Sequence, residues 1–298
     1  MKVDFHAHSK ASDGSCTPHA VARMTSSFAA AALTDHDTCS GVGEFLATES
    51  AGECVRFAGV EFSIDPGEGF DMFHLLGLGV DPGNAALLDF QRRIQMARGE
   101  RNDRIIGNFL KLGIDLGEDV RAATVGRIMA RPHFATWLVR HRYAPSVREA
   151  FAKYLLPDSP AETRCYESRW HPPQEEAFAV VHGAGGLCVM AHPKFWRREW
   201  KTSGCDFDAA EHGLCRLREM GLDGLEAHYQ ANSPGEDVAF EMIADRVGLL
   251  KSAGSDFHGV NKPAVTIGME VSEGFIRPLT DRLAAAAADY SSTTNSAR

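Results

Sequence analysis

Near its amino terminus the chain reads Val3-Asp4-Phe5-His6-Ala7-His8-Ser9-Lys10-Ala11-Ser12-Asp13-Gly14. Apolar and polar residues alternate from Val3 to His8, so an extended strand places Asp4, His6 and His8 on one side. Thr17-Pro18 then offers a cap residue and a proline at the first helical position, which predicts a helix start. Ala30-Ala31-Ala32-Leu33-Thr34 is a second apolar run, ending in Asp35-His36-Asp37, and a helix is expected from about residue 40 to 51. Val55 to Glu61 and Met72 to Leu78 read as a third and a fourth strand. This alternation predicts an α/β architecture with parallel strands.

The pattern changes from residue 81 to residue 164. Leu87, Leu88, Phe90, Ile94, Met96, Ile105, Ile106, Phe109 and Leu110 recur at roughly helical spacing, and Phe134 to Val139 and Val147 to Leu156 read as further helices. Three more strands follow, Gly185 to His192, Gly224 to Ala227 and Leu249 to Ala253. The expected organisation is a barrel built from residues 1–80 and 165–298, with a helical insertion at 81–164 that caps the active site. The tail from Ser291 reads as low-complexity and frayed.

Composition narrows the function. The 298 residues carry 31 Lys+Arg against 40 Asp+Glu, a net charge of −9, which excludes a polyanion binder working by bulk charge. Phosphate chemistry on such a chain needs a local cluster of cations or metal ions. No apolar run approaches the roughly 18 residues of a membrane span, and Asp4 and His6 stand where a signal peptide needs an apolar core. The seven cysteines form no CxxC pair, which argues against a disulfide framework or a thiolate zinc site and for a cytoplasmic location.

The 13 histidines are the unusual feature of that composition. His6 and His8 stand at the end of the first strand, with Asp13 in its loop. His36 follows the second strand, Glu61 ends the third and His74 lies in the fourth. His192 ends the strand after the insertion, and Asp256 and His258 follow the last one. Strand ends converge on one rim in parallel α/β folds. Buried imidazoles and carboxylates crowded there without a cation would repel one another or carry heavy desolvation costs. These nine groups read as a chelating array for two or three ions, with Glu61 bridging. His19, His141, His171, His182 and His212 read as background.

Asp4 to Gly14 resembles the first motif of the PHP (polymerase and histidinol phosphatase) family of phosphoesterases. Leu33-Thr34-Asp35-His36-Asp37-Thr38 is similar to the second motif and Gly59-Val60-Glu61-Phe62-Ser63 to the third. Ala191-His192-Pro193 and Gly254-Ser255-Asp256-Phe257-His258 resemble the later ones. Glu100 to Arg104 and Arg131 to Ala135 resemble the subgroup of nucleoside 3′,5′-bisphosphate phosphatases. The resemblance implies a distorted (β/α)7 TIM-like barrel with two or three divalent ions, manganese, iron or zinc. It puts one ion on His6, His8, Glu61 and Asp256, a second on Glu61, His74 and His192, and a third on Asp13, His36 and His258. Asp13, where some members have histidine, is the harder ligand and favours Mn²⁺ or Fe²⁺ over an all-zinc site.

The reaction implied is hydrolysis of a small phosphorylated metabolite, best a nucleoside 3′,5′-bisphosphate, by a hydroxide that bridges the ions. Asp13 is grouped with the reacting centre, and His133 or His258 would assist the leaving group. Arg101, Arg104, Arg131 and Lys194 are the cations expected on the substrate, together with His133 and His228. Periodicity alone reads the insertion's arginines as a wet helix face; the resemblance moves Arg101 and Arg131 to function. Arg92, Arg93, Arg197 and Arg198 are left on the surface, and Phe195, Trp196 and Trp200 are read as structural aromatics rather than a base-stacking wall. The rival readings are a cyclic phosphodiesterase, an amidohydrolase-type hydrolase and a non-catalytic PHP module. No extended nucleic acid is expected as a partner, short RNA ends being the nearest alternative substrate.

Overall fold

The computed structural model describes residues 1–49, 52–65, 67, 71–122, 128–196 and 207–296. The readings made for Arg197, Arg198 and Trp200 lie outside them. The chain divides into two compact units, Met1–Phe90 with His171–Arg298, and Gln91–Trp170.

The first unit is an eight-stranded sheet with helices around it. Its strands are β1 (Lys2–Asp4), β2 (Ala30–Leu33), β3 (Val55–Ile64), β4 (Phe73–Leu78), β5 (Leu187–Met190), β6 (Gly224–Tyr229), β7 (Leu250–Gly254) and β8 (Met269–Glu270). They lie in the order β7-β6-β5-β4-β3-β2-β1-β8. The residues just after β1 meet those at the end of β7: Phe5 N donates to Ala253 O at 2.9 Å, Asp256 N donates to His6 O at 2.8 Å, and Ala7 bridges Phe257. The sheet is therefore a nearly closed, distorted α/β barrel with β8 as a short addition beside β1.

The sheet is not wholly parallel, which corrects the sequence expectation. β4 runs antiparallel to both β3 and β5, while β1–β2, β2–β3, β5–β6 and β6–β7 are parallel pairs. The reason lies in the connection. Only residues 65 to 72 separate β3 from β4, and a parallel crossover needs about a dozen residues or more.

Local chemistry fixes the helices. Thr17 accepts from Ala20 N and Pro18 opens the helix Pro18–Met24, as the sequence predicts. The helix Pro234–Val247 starts on a Ser233–Glu236 capping box and stops at Gly248, whose φ of 76° suits glycine. The helix Glu273–Ser296 runs through the tail expected to fray. The alanines at 284 to 288, the strongest helix formers, account for the difference. Among the described residues no helix is long and apolar enough to cross a membrane.

The second unit is helical. From Leu87 the helix Ala85–Lys111 buries the stripe Leu87, Phe90, Ile94, Arg98, Arg101, Ile105 and Phe109, spaced at three and four residues. Leu88, Met96 and Leu110, three of the apolar residues used to predict this helix, fall off the stripe and are exposed. Arg98 and Arg101 are on it, so the wet-face reading fails for these two; Arg92 and Arg104 are exposed. Phe134 and Leu138 of the helix Arg131–Arg140 pack with Ile105, Phe109, Tyr154 and Leu155 as this unit's own core.

Candidate metal centre

One rim of the barrel collects the chemistry. His6 and His8 follow β1, His36 follows β2, His192 follows β5, and Asp256 and His258 follow β7. Glu61 lies inside β3, three residues before its end. His74 is the second residue of β4. Because β4 is reversed, its beginning reaches the rim where its neighbours end. Ser63 pairs with His74 and Glu61 with Leu76, so Glu61 and His74 are diagonal neighbours on one face.

Glu61 is the hub. Its Oε1 lies 2.7 Å from His74 Nδ1 and 3.3 Å from His192 Nε2. Its Oε2 lies 3.3 Å from His6 Nε2, 3.1 Å from His8 Nε2 and 3.0 Å from His36 Nδ1. Asp256 Oδ1 is 3.6 Å from His6 Nε2 and 3.4 Å from His8 Nε2. Asp13 closes the other side, with Oδ1 at 3.2 Å from His258 Nε2 and Oδ2 at 3.9 Å from His36 Nε2. All nine side chains read from the sequence as ligands thus fall in one connected cluster.

The donor set fits divalent cations. His258 Nδ1 hydrogen-bonds to Asp256 O at 2.8 Å, which turns the Nε2 lone pair of a neutral ring toward the Asp13 carboxylate. His6 Nδ1 lies 3.0 Å from Glu226 Oε1, leaving His6 Nε2 facing His8 Nε2 at 3.1 Å and two carboxylates. Lone pairs aimed at lone pairs are stable only with a positive charge between them. Glu61 Oε2, His8 Nδ1 and His36 Nδ1 are also buried without a hydrogen-bond partner. Three ligand-sized groupings lie on this rim: His8 with Asp13, His36 and His258; His6 with His8 and Glu61; and His36 with Glu61 and His74.

Without cations, protons take part of their place. Burial alone would lower the pKa of His6, but the charges of Glu226, Glu61 and Asp256 outweigh it and raise the ring well above its ordinary range. His8 is likewise buried, yet the neighbouring carboxylates of Asp256 and Glu61 bring it up to about 9. His74 goes the other way, down to about 4, because burial outweighs Glu61. Burial opposes the ionisation of Glu61 and Asp13, but the surrounding imidazoles hold both carboxyls well below the usual range.

A pH dependence follows. His8 has a folded-state pKa raised from 6.5 to about 9, so its proton stabilises the metal-free protein fully below pH 6.5. That contribution is lost as pH rises toward 9. Metal must displace the same proton, so affinity for Mn²⁺ is expected to tighten between pH 6.5 and 9 with proton release. Calorimetry in buffers of different ionisation enthalpy measures this; metal uptake at pH 7.5 without proton release would contradict it.

Four further residues support the ligands; Asp35 lies within the second motif and Tyr229 follows the strand read from Gly224 to Ala227, whereas Glu226 and Lys262 were not singled out in the sequence. Glu226, fully buried on β6, spans His6 Nδ1 and the backbone N–H of His192, the latter at 2.6 Å. Tyr229 and Lys262 both donate to Asp256 Oδ2, at 3.0 Å and 2.6 Å, leaving Oδ1 toward the histidines. Asp35 accepts from Ser9 N, Ser9 Oγ and Ser12 Oγ and so anchors the loop that carries Asp13. The backbone is strained here: Asp37, His192 and Asp256 have φ of 56°, 29° and 58°, values rare for residues other than glycine.

Two substrate-binding expectations are corrected. His228 Nε2 bonds Glu241 at 2.6 Å and its ring packs on Phe275, so it faces the flanking helices rather than the rim. A register shift between Glu226 and His228 breaks the alternation that would have put both on one face. Lys194 donates to Ala231 O and to Glu236, beside the N-terminus of the helix Pro234–Val247, so its charge is already matched.

In the helical unit, exposed Arg104 is paired with Glu167 and donates to Ser168 O. Arg101 is buried and bonds Asn102 Oδ1 through Nε and Nη2. Burial, then the charges of Arg98, Arg131 and Arg169, depress its pKa to about 9. Arg131 donates to Leu155 O and lies over the Tyr166 ring. His133 Nδ1 accepts from Ala130 N at the start of its helix. Trp196 is buried with its Nε1 on Asp71 O, while Phe195 is partly exposed, edge-on to His192 and Tyr229.

Known proteins resemble this chain over nearly its whole length. A 3′,5′-nucleoside bisphosphate phosphatase from Chromobacterium violaceum is 33% identical over 273 residues, covering 89% of this chain and 90% of the relative. The 5′-3′ exoribonuclease Rnm of Escherichia coli is 28% identical, covering 86% of this chain and 84% of its own. Among solved structures, one from Chromobacterium violaceum described as an amidohydrolase with sulfate bound and no metal superposes with a TM-score of 0.80 at 30% identity, covering 95% and 96% of the two chains. Another, described as a metal-dependent phosphoesterase from Bifidobacterium adolescentis, gives a TM-score of 0.77 at 27% identity, covering 94% and 96%. No family model matches the chain. With its ordered motifs, its barrel and a bisphosphate phosphatase relative aligned over 89% of its length, the chain belongs to the PHP family of metal-dependent phosphoesterases, hydrolases of phosphoric ester bonds.

Proposed function

We propose that this enzyme removes a phosphate from a nucleoside 3′,5′-bisphosphate, using two or three divalent ions of manganese, iron or zinc. The observation that carries the reading is the similarity to a phosphatase of that substrate class over 89% of this chain. The rim side chains suit this chemistry. His6, His8, Glu61 and Asp256 would hold one ion, Glu61, His74 and His192 a second, and Asp13, His36 and His258 a third. Ions held there supply Lewis acidity, neutralising phosphoryl oxygens and lowering the pKa of water.

The chain's own groups do the rest. Tyr229 and Lys262 occupy one oxygen of Asp256 and so fix which oxygen faces the histidines. His133, whose Nδ1 accepts from the backbone, carries its proton on Nε2, the atom we assign to the leaving oxygen. The helical insertion is assigned the substrate's remaining charge, through Arg101 and Arg131. A buried guanidinium with a pKa lowered to about 9 by burial and by its neighbours' charges gains when an anion arrives. Arg101→Ala is expected to raise KM by about tenfold or more, with kcat changed less, since a hydrogen bond to a charged group contributes about 1.5–3 kcal/mol. Steady-state kinetics decide it; an unchanged KM removes Arg101 from the substrate site.

The test of the function is phosphate release by Mn²⁺-loaded enzyme across nucleoside bisphosphates, cyclic phosphates, sugar phosphates and short RNA. Turnover confined to cyclic phosphates or to RNA ends would replace the bisphosphate reading. Activity on amides or lactones alone would overturn it. The chemistry of an RNA end is close to that of the small substrate, and the exoribonuclease relative makes this the second reading to test.

A further inference from the structure

We propose that Glu226 is a positioning residue that selects the tautomer of His6, and that the position requires a carboxylate as distinct from a carboxamide. The inference rests on the reading of His6 as a metal ligand.

Donors and acceptors around this side chain can be counted. Glu226 is fully buried and makes two contacts from its two oxygens. Oε1 lies 3.0 Å from His6 Nδ1, and Oε2 accepts the backbone N–H of His192 at 2.6 Å. The N–H of His192 is always a donor. His6 must donate as well if its Nε2 is to keep a lone pair for a cation beside His8 Nε2, Glu61 and Asp256. Two donors therefore meet this side chain, and only a carboxylate accepts from both.

Glutamine has the same shape but one acceptor and one donor group. If its oxygen takes His192, its NH₂ faces His6 Nδ1, and the ring satisfies it by moving its proton to Nε2. That places a hydrogen where the ion must bind. If its oxygen takes His6, its NH₂ confronts the His192 N–H, and the strained turn at φ 29° loses the bond that supports it. Aspartate keeps two acceptors on a shorter stem. The isosteric replacement should therefore be worse than the shorter one, the reverse of what shape alone would give.

The experiment measures Zn²⁺ affinity of the full-length protein by competition with a chromophoric chelator, for the parent, His6→Ala, Glu226→Gln and Glu226→Asp. Thermal unfolding of each metal-free protein and the ¹⁵N shifts of the His6 ring at saturating zinc accompany it. Glu226→Gln is expected to weaken binding of at least one ion by about 10–100-fold. It is expected to keep a cooperative metal-free unfolding transition, and to lose the Nδ1–H, Nε2-liganded ring signature at saturating zinc. Glu226→Asp is expected to bind more tightly than Glu226→Gln. Parental affinity in Glu226→Gln alongside weakened His6→Ala overturns the proposal, as does an order in which glutamine outperforms aspartate. Parental affinity in His6→Ala refutes the ligand reading instead; the ring signature then still decides, since a Nδ1–H retained in Glu226→Gln overturns the tautomer assignment.

Discussion

Glu61→Gln is expected to leave a folded protein whose kcat has fallen by about a thousandfold or more. The carboxylate sits among five imidazoles, with Oε1 near His74 and His192 and Oε2 near His6, His8 and His36. It is ionised well below its ordinary range despite complete burial, because those rings favour its charge. An amide keeps the shape, removes the charge and turns one acceptor into a donor among nitrogens that must offer lone pairs. Two of the three proposed ions share this residue, so one substitution reaches both. Metal catalysis accounts for several kcal/mol of transition-state stabilisation, and each 1.36 kcal/mol is tenfold in rate. The measurement is kcat at saturating Mn²⁺ with metal content and circular dichroism on the same sample. A rate within tenfold of the parent, with full metal content, would remove Glu61 from the centre.

The second large effect is predicted at a residue with no functional group. Gly254 ends β7, and a Cβ built there would meet Glu226 Oε1 and His6 Cβ far inside van der Waals contact, with His6 N at 3.1 Å. None of these neighbours can retreat cheaply: Glu226 is tied to His192, and His6 N is held by Asp4 at 3.1 Å. Gly254→Ala therefore pushes His6 and Glu226 apart. Overpacking of this kind costs about 1–3 kcal/mol, and displacing a reacting geometry by an ångström costs about a hundredfold in rate. The expected result is activity reduced by about two orders of magnitude or more at a modest fall in Tm. Near-parental turnover would mean that the barrel relaxes here without moving His6.

The clustering of the nine candidate ligands was legible because strand ends and chelating residue types coincide in the sequence at separate places along the chain. The direction of β4 was not, since a period of two reads the same in both directions; only the short link at 65 to 72 carries that information. His228 was misplaced because a bulge leaves no mark in the alternation Glu226-Ala227-His228. Lys194 was misread because its partner Glu236 is 42 residues away and only the fold brings them together. Arg98 and Arg101 show the opposite failure. Periodicity was read as leaving the insertion's arginines on a wet helix face, yet Arg98 and Arg101, four residues from Ile94 and from Ile105, lie on the buried stripe.

The left-handed backbone at Asp37, His192 and Asp256 has an evolutionary corollary. Such conformations cost about 1–3 kcal/mol each in side-chain-bearing residues, and glycine would relieve them. A lineage freed from the need to hydrolyse its ester would drift toward glycine at these places and gain heat resistance as it lost its chemistry. A laboratory selection for thermal survival alone would take the same path, so a hardened descendant of this barrel should be checked at 192 and 256 before its stability is credited to its core.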